Sequence, residues 1–194
     1  MTILVDMDDT IEQLLEAWVE RCNILYGRHA SVLDVTDWNV AAAFPGLTRE
    51  QVYGVIEEPG FWKGVLPKPG AAEALRSLAE KGHEIYIVTA TEYKHLAEKM
   101  DEVLFRYFPF LKWEQVIVTR RKQMIRGDIL IDDGPHNLLG GAYRKILFDA
   151  PHNRFFDAEG NGMIRVRNWQ EAEQAVERIA AEEKRCGEEP FLVK

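Results

Sequence analysis

The sequence predicts an α/β protein built on a mostly parallel β-sheet with helices on both faces. Short apolar runs, such as "ILV" at 3–5, "IYIV" at 85–88 and "ILI" at 129–131, recur along the chain. They alternate with longer segments in which apolar residues return at helical spacing. Unbroken apolar runs suit strands buried on both faces, and parallel neighbours need a helix-length crossover between them. Several of the runs also end in Asp or Thr. That is where ligands of open α/β sheets collect, outside the carboxyl ends of the strands.

In order, Ile3-Leu4-Val5 is the opening strand. Ile11, Leu14, Leu15, Trp18, Val19, Cys22, Leu25 and Tyr26 then form a helical stripe that Gly27 ends. From Arg28 to Pro67 the periodicity loosens and predicts no strand, although Thr48 to Gln51 reads as a capping box opening a short helix through Glu57. Pro69-Gly70 starts a helix carrying Ala74, Leu75, Leu78 and Ala79, closed by Gly82. "EIYIVTAT" (84–91) is a strand of β-formers, and Leu96, Met100, Val103, Leu104 and Tyr107 mark the next helix. "QVIVT", "DILIDD" and "KILFDA" supply three further strands. Asn168 to Glu171 caps a last helix expected to run through about Lys184.

Composition narrows the function classes. A chain of 194 residues, 46% apolar and 29% charged, can bury one core and a small second lobe. Cys22 and Cys186 show neither disulfide-framework nor zinc spacing, which fits a reducing compartment. No apolar run reaches membrane-spanning length and no basic leader precedes the opening strand, so a cytoplasmic protein is expected. The net charge of −8 leaves no broad basic face and argues against binding long nucleic acids. Small anionic ligands remain open to it, because a local cation reverses the field inside a pocket.

The chemistry is concentrated at the strand ends. "DMDDT" (6–10) places three carboxylates in four positions, an arrangement that is costly unless a cation or substrate reorganises it. Thr89, Thr119 and the Asp132-Asp133 pair end three other runs, with Lys122 just beyond Thr119. A hard divalent cation such as magnesium takes oxygen ligands from a few carboxylates plus phosphate and water. A carboxylate beside it is a plausible nucleophile toward phosphorus. A second carboxylate two residues on can protonate the leaving group and then activate water. Thr89 and Lys122 would donate to the transferring phosphoryl oxygens.

In that order these motifs resemble the four motifs of haloacid-dehalogenase-like (HAD) phosphatases. More narrowly, "EEPGFWKGVLPKPGAAEAL", "VIVTRRKQ", "GDILIDD" and "HNR" resemble the 5′(3′)-deoxyribonucleotidase group, the cytosolic type C 5′-nucleotidases, over about Leu4 to Trp169. The resemblance implies a three-layer Rossmann-like core formed by residues 1–13 and 68–184, a small inserted helical cap at 14–67, and a tail at 185–194. It implies magnesium-dependent hydrolysis of nucleoside monophosphates, preferably deoxyribonucleotides, through an aspartyl-phosphate. Asp6 would be the nucleophile, Asp8 the acid/base, and Thr89 and Lys122 the phosphate binders. Magnesium would be held by Asp6, the Asp8 carbonyl and either Asp132 or Asp133. Asp9 departs from the glycine of many animal members, and Arg121 from their usual aspartate.

Trp38 and Phe61 lie in weakly periodic surroundings of the cap, where aromatics can stack on a base, and are expected to bind substrate. Leu14, Leu15 and Trp18 are expected to pack the cap. The main alternative is a phosphatase of another small metabolite, such as a sugar phosphate. A phospho-receiver fits poorly, because the acidic pair here follows the lysine and an insertion follows strand one. A dehalogenase has no need of Asp8.

Overall fold

The computed structural model describes residues 1–188. Six strands, β1 (Thr2–Val5), β2 (Glu84–Thr89), β3 (Val116–Val118), β4 (Ile129–Asp132), β5 (Arg144–Phe148) and β6 (Met163–Val166), form one parallel sheet in the order β3-β2-β1-β4-β5-β6. Val5 lies opposite Ile87 of β2 and Ile131 of β4, so the ends of the three central strands are level. The chain builds outward from β1 first on one side and then on the other, which opens a crevice at those ends. The strand β6 was not predicted. Its run is broken by Arg165, whose guanidinium donates to Asp149, Asn153 and the Phe156 carbonyl rather than reaching solvent.

The helices are α1 (Leu14–Tyr26), α2 (Arg49–Gly54), α3 (Ala71–Glu80), α4 (Tyr93–Lys99), α5 (Phe105–Tyr107), α6 (Pro135–Leu138) and α7 (Trp169–Glu188). A π-helical turn, Met100–Leu104, joins α4 to α5. Helix α1 starts at Leu14 instead of Ile11, because the Asp9 carboxylate accepts the Leu15 N–H (2.9 Å) and holds the preceding residues as a turn. Gly27, at φ 58°, ends it in the left-handed region that side chains disfavour. The capping box before α2 is formed: Thr48 Oγ1 accepts from Gln51 N and Gln51 Oε1 from Thr48 N. Helix α7 passes the expected end at Lys184, so the tail expected from 185 begins as helix, and residues 189–194 lie outside the described ones.

Alternation along the strands separates two apolar layers. Ile3, Val5, Ile85, Ile87, Ile129 and Ile131 pack with Leu75 and Leu78 of α3 and Val176 and Ile179 of α7. Leu4, Val88, Leu130 and Leu147 face the other way, onto Leu138 of α6, Tyr143 and Met163. This second layer is thin, with one short helix and irregular chain. Each fully buried Leu or Ile contributes about 1.5–3 kcal/mol.

The segment 14–67 leaves and rejoins the sheet layer at a narrow stem. Gln13 N–H donates to the Leu66 carbonyl (2.9 Å) and Lys68 N–H to that of Ile11 (2.8 Å). Above the stem, Trp18 Nε1 donates to the Val52 carbonyl (2.7 Å), joining α1 to α2. Below it, buried Trp169 donates to the Thr10 carbonyl (2.9 Å) and fixes the turn after β1. Among the described residues, no helix is long and apolar enough to cross a membrane.

Candidate active site

The turn after β1 brings Asp6, Asp8 and Asp9 to the crevice. Asp6 N–H donates to the Ile131 carbonyl (2.9 Å), which continues the sheet ladder and fixes the backbone from which its carboxylate projects. Lys122, buried at the first turn after β3, places its ammonium between Asp6 and Asp132, 2.6 Å from Asp132 Oδ2. The other oxygen of Asp132 accepts Gly134 N–H (2.7 Å) and Asn137 Nδ2 (3.0 Å). Asp132 is therefore fully engaged. Asp133 differs: its Oδ2 stands 2.7 Å from His152 Nε2, while its carbonyl accepts Asn153 Nδ2 (2.8 Å). Carboxylate oxygens of Asp6, Asp132 and Asp133 lie within 4.8 Å of one another.

Thr89, at the end of β2, is buried with its hydroxyl 3.0 Å from that of Thr91. Thr119, another strand-end hydroxyl, accepts Arg121 N–H (3.0 Å) and serves its own turn. Asp9 adopts φ 55°, a conformation glycine takes freely; its bond to Leu15 N–H offsets the strain.

Charge in the crevice is unbalanced. Burial pushes the Asp6 carboxyl well above the ordinary carboxylate range; Lys122 opposes this, while Asp132 and Asp133 reinforce it. Asp133 is raised in the same way by burial and Asp132. Asp9 is pushed up to about 8, by burial and then Asp133. Glu12, fully buried beside Asp8, is raised first by burial and then by the charge of Asp8 and a hydrogen bond to it. Asp8 goes the other way. Burial would raise it, but the Lys99 ammonium holds it below the usual range. Lys122 is raised by Asp6 and Asp132 even though burial works against its charge. An additional cation beside Asp6 and Asp133 would relieve this surplus, and the oxygen donors suit a hard divalent ion.

The crevice opens into a cleft of about 520 Å³ lined by Asp6, Asp8 and Asp133 below and by Leu14, Trp18, Trp38, Tyr53 and Ile56 above, with Arg120 at one side. Trp38 is 51% exposed, with its ring 4.2 Å from that of His152 and 5.0 Å from His136. Leu14 and Trp18 both pack and line the cleft. Phe61 does not line it. At 9% exposure it packs edge-on against Trp62 and borders a separate groove with Ala17 and Arg21, because the turn at Gly60 directs it onto α1. The expectation that Phe61 meets substrate is corrected accordingly.

The sequence gives Lys99 and Glu12 no role, and it shows His152 and Asn153 only as part of the "HNR" motif. For Lys99 a signal existed: it interrupts the apolar stripe Leu96, Met100, Val103 with a charge.

The comparisons with known proteins agree with this geometry. The family model described as "5′ nucleotidase, deoxy (Pyrimidine), cytosolic type C protein" matches residues 1–183. A 5′(3′)-deoxyribonucleotidase of Clostridium acetobutylicum is 33% identical over 178 residues, covering 92% of this chain and 96% of that protein. One of Bacillus subtilis is 35% identical over 173 residues, covering 89% and 96%. Among solved structures, a HAD family hydrolase from Deinococcus radiodurans, with bound phosphate and sodium, matches with a TM-score of 0.61 at 18% identity over 92% of this chain and 96% of its own. A haloacid dehalogenase-like family hydrolase from Xanthomonas campestris matches at 0.56 and 15%, over 95% and 98%. These two share the fold.

Proposed function

The chain belongs to the cytosolic type C 5′(3′)-deoxyribonucleotidase family, phosphoric monoester hydrolases of nucleotides, and on that premise we propose that it hydrolyses deoxyribonucleoside monophosphates with magnesium, in the cytoplasm. The observation that carries the reading is Lys122 held between Asp6 and Asp132, directly beneath a cleft with Asp6, Asp8 and Asp133 at its floor and an apolar, aromatic roof. A phosphate fits the floor and a nucleoside the roof; a sugar phosphate would leave the roof unused. In this reading residues 1–13 and 68–184 form the catalytic core and 14–67 the cap.

Asp6 attacks phosphorus, the ester P–O bond breaks, and Asp8, which Lys99 keeps ionised at rest, takes up a proton on substrate binding and passes it to the departing nucleoside oxygen. Water then attacks the phosphorus of the aspartyl-phosphate. Asp8 takes the water's proton, and Asp6 and inorganic phosphate are released. Lys122 Nζ and the Thr89 hydroxyl donate to the phosphoryl oxygens in both steps. Asp6, the Asp8 carbonyl and one residue of the acidic pair would hold magnesium, which would supply positive charge beside the phosphoryl group. Of that pair Asp133 is the better ligand, because hydrogen bonds already occupy both oxygens of Asp132. Trp38 offers an exposed ring face to the base.

A roof of apolar and aromatic side chains closing on the sugar would leave a 2′-hydroxyl short of partners. Stranding it costs roughly 1–3 kcal/mol, about one to two orders of magnitude in kcat/KM. A phosphate-release screen over deoxyribonucleotides, ribonucleotides and sugar phosphates with magnesium tests the reading. Deoxyribonucleoside monophosphates are expected to rank highest. Turnover of a sugar phosphate with no nucleotide hydrolysis would replace this reading by the sugar-phosphatase alternative.

A further inference from the structure

We propose that Lys99 is a positioning residue for the acid/base carboxylate, tethering Asp8 so that its free oxygen meets the leaving group and then the water. The proposal rests on the assignment of Asp8 above. Lys99 is the last residue of α4 and is 0% exposed. A buried ammonium is costly unless its donors are matched. Its donors are matched: Nζ bonds to Asp8 Oδ1, to Thr91 Oγ1 at 2.8 Å and to Thr89 Oγ1 at 3.3 Å, and it lies 4.9 Å from the Trp62 ring centroid. The end of β2, Trp62 of the 14–67 segment and Asp8 thus converge on the one ammonium that ends helix α4.

The two buried lysines divide the acids between them. Lys122 holds Asp6 and Asp132, and Lys99 holds Asp8. Lys99 does not line the cleft and reaches it through the groups it holds, Asp8 foremost and the Thr89 hydroxyl at 3.3 Å. The buried Glu12 carboxyl is the other neighbour of Asp8 and already shares a hydrogen bond with it, so the Lys99 bond to Oδ1 is what holds Asp8 against that side. The π-helical turn starts directly after Lys99 and changes the helix register there, and such turns gather at functional sites.

Loss of the tether disturbs the steps that move a proton and spares the attack of Asp6 on phosphorus. A nitrophenolate leaves without protonation, whereas a nucleoside alkoxide does not. Lys99→Met, Lys99→Arg and Thr91→Val are therefore compared with the unmodified enzyme on 4-nitrophenyl phosphate and on a deoxyribonucleoside monophosphate, by rapid quench with magnesium present. For Lys99→Met, kcat on the nucleotide is expected to fall about ten- to a hundredfold with KM held within about threefold. On 4-nitrophenyl phosphate it should release about one equivalent of nitrophenolate per enzyme in a burst and accumulate phosphoenzyme. Lys99→Arg should recover part of the loss, and Thr91→Val should shift both substrates the same way more weakly. Equal losses on the two substrates with no burst, or a rise in KM alone, would overturn the proposal. If Lys99→Met does not fold, unmodified burst kinetics in both other variants overturn it as well. An unmodified enzyme inactive on every nucleotide but active on 4-nitrophenyl phosphate would refute the nucleotidase reading, and the burst would still decide the role of Lys99.

Discussion

Replacing Trp38 by Ala separates recognition of the nucleoside from the chemistry at phosphorus. Trp38 projects from the 14–67 segment over the loops after β4 and β5. One part of its ring meets His152 at 4.2 Å and 45° and His136 edge-on at 5.0 Å, and about half the side chain remains open to the cleft. Stacking of one base on such a face is worth about 1–3 kcal/mol, a fall of roughly 5- to 150-fold in kcat/KM for a nucleotide. The contacts with the two histidines add about 1 kcal/mol of folding stability at most, because the ring is half exposed. The assay is kcat/KM on a deoxyribonucleoside monophosphate and on 4-nitrophenyl phosphate, with a thermal melt of each variant. The nucleotide value should drop while the aryl phosphate value stays nearly level. Equal losses would refute the reasoning and mean that Trp38 acts through His152, which stands against Asp133. Phe61→Ala is the control that structure supplies: its ring is buried outside the cleft, so stability should fall by about 3–5 kcal/mol while the ratio between the two substrates holds.

Asp6→Asn should abolish turnover and any hydroxylamine-sensitive phosphoenzyme, since the attacking oxygen is gone; phosphoenzyme persisting in the acid-quenched, gel-resolved protein would contradict its role. Chelation should suppress activity, with recovery on adding magnesium and not calcium, whose longer bonds misplace nucleophile and phosphate; full activity in excess chelator counts against the metal site. For the metal-free protein, the pH dependence of melting has a definite sign. Asp9, at about 8 folded and ordinary when unfolded, binds a proton in the folded state that the unfolded state has released. Stability should then decline as pH rises through about 8, Asp6, Asp133 and Glu12, raised likewise, adding slope of the same sign, while above about pH 7.5 His152, lowered by burial, is neutral in both states. Magnesium should raise the melting temperature more at pH 8 than at pH 6.5, and a gain independent of pH would show that the ion does not relieve these carboxyls.

What the sequence alone determined was local. The apolar runs at 3–5, 85–88 and 129–131 are strands because residues buried on both faces leave no polar alternation, and their ends display Asp6, Thr89 and Asp132 wherever the chain goes next. The helix stop at Gly27 and the capping box at Thr48 are equally local, being set by backbone conformation and a reach of three residues. Tertiary structure decided everything that depends on which distant group arrives. Asp132 and Asp133 are adjacent and chemically identical in the sequence; they part only because Lys122, Gly134 and Asn137 occupy one and His152 approaches the other. Trp38 and Phe61 are both aromatic residues in aperiodic chain, and packing against α1 buries one while the loops after β4 and β5 leave the other at the cleft. Lys99 stands 91 residues from Asp8 along the chain. Periodicity reports that a position is buried, but the identity of a buried ion's partner is fixed only when helix α4 is laid against the end of β2.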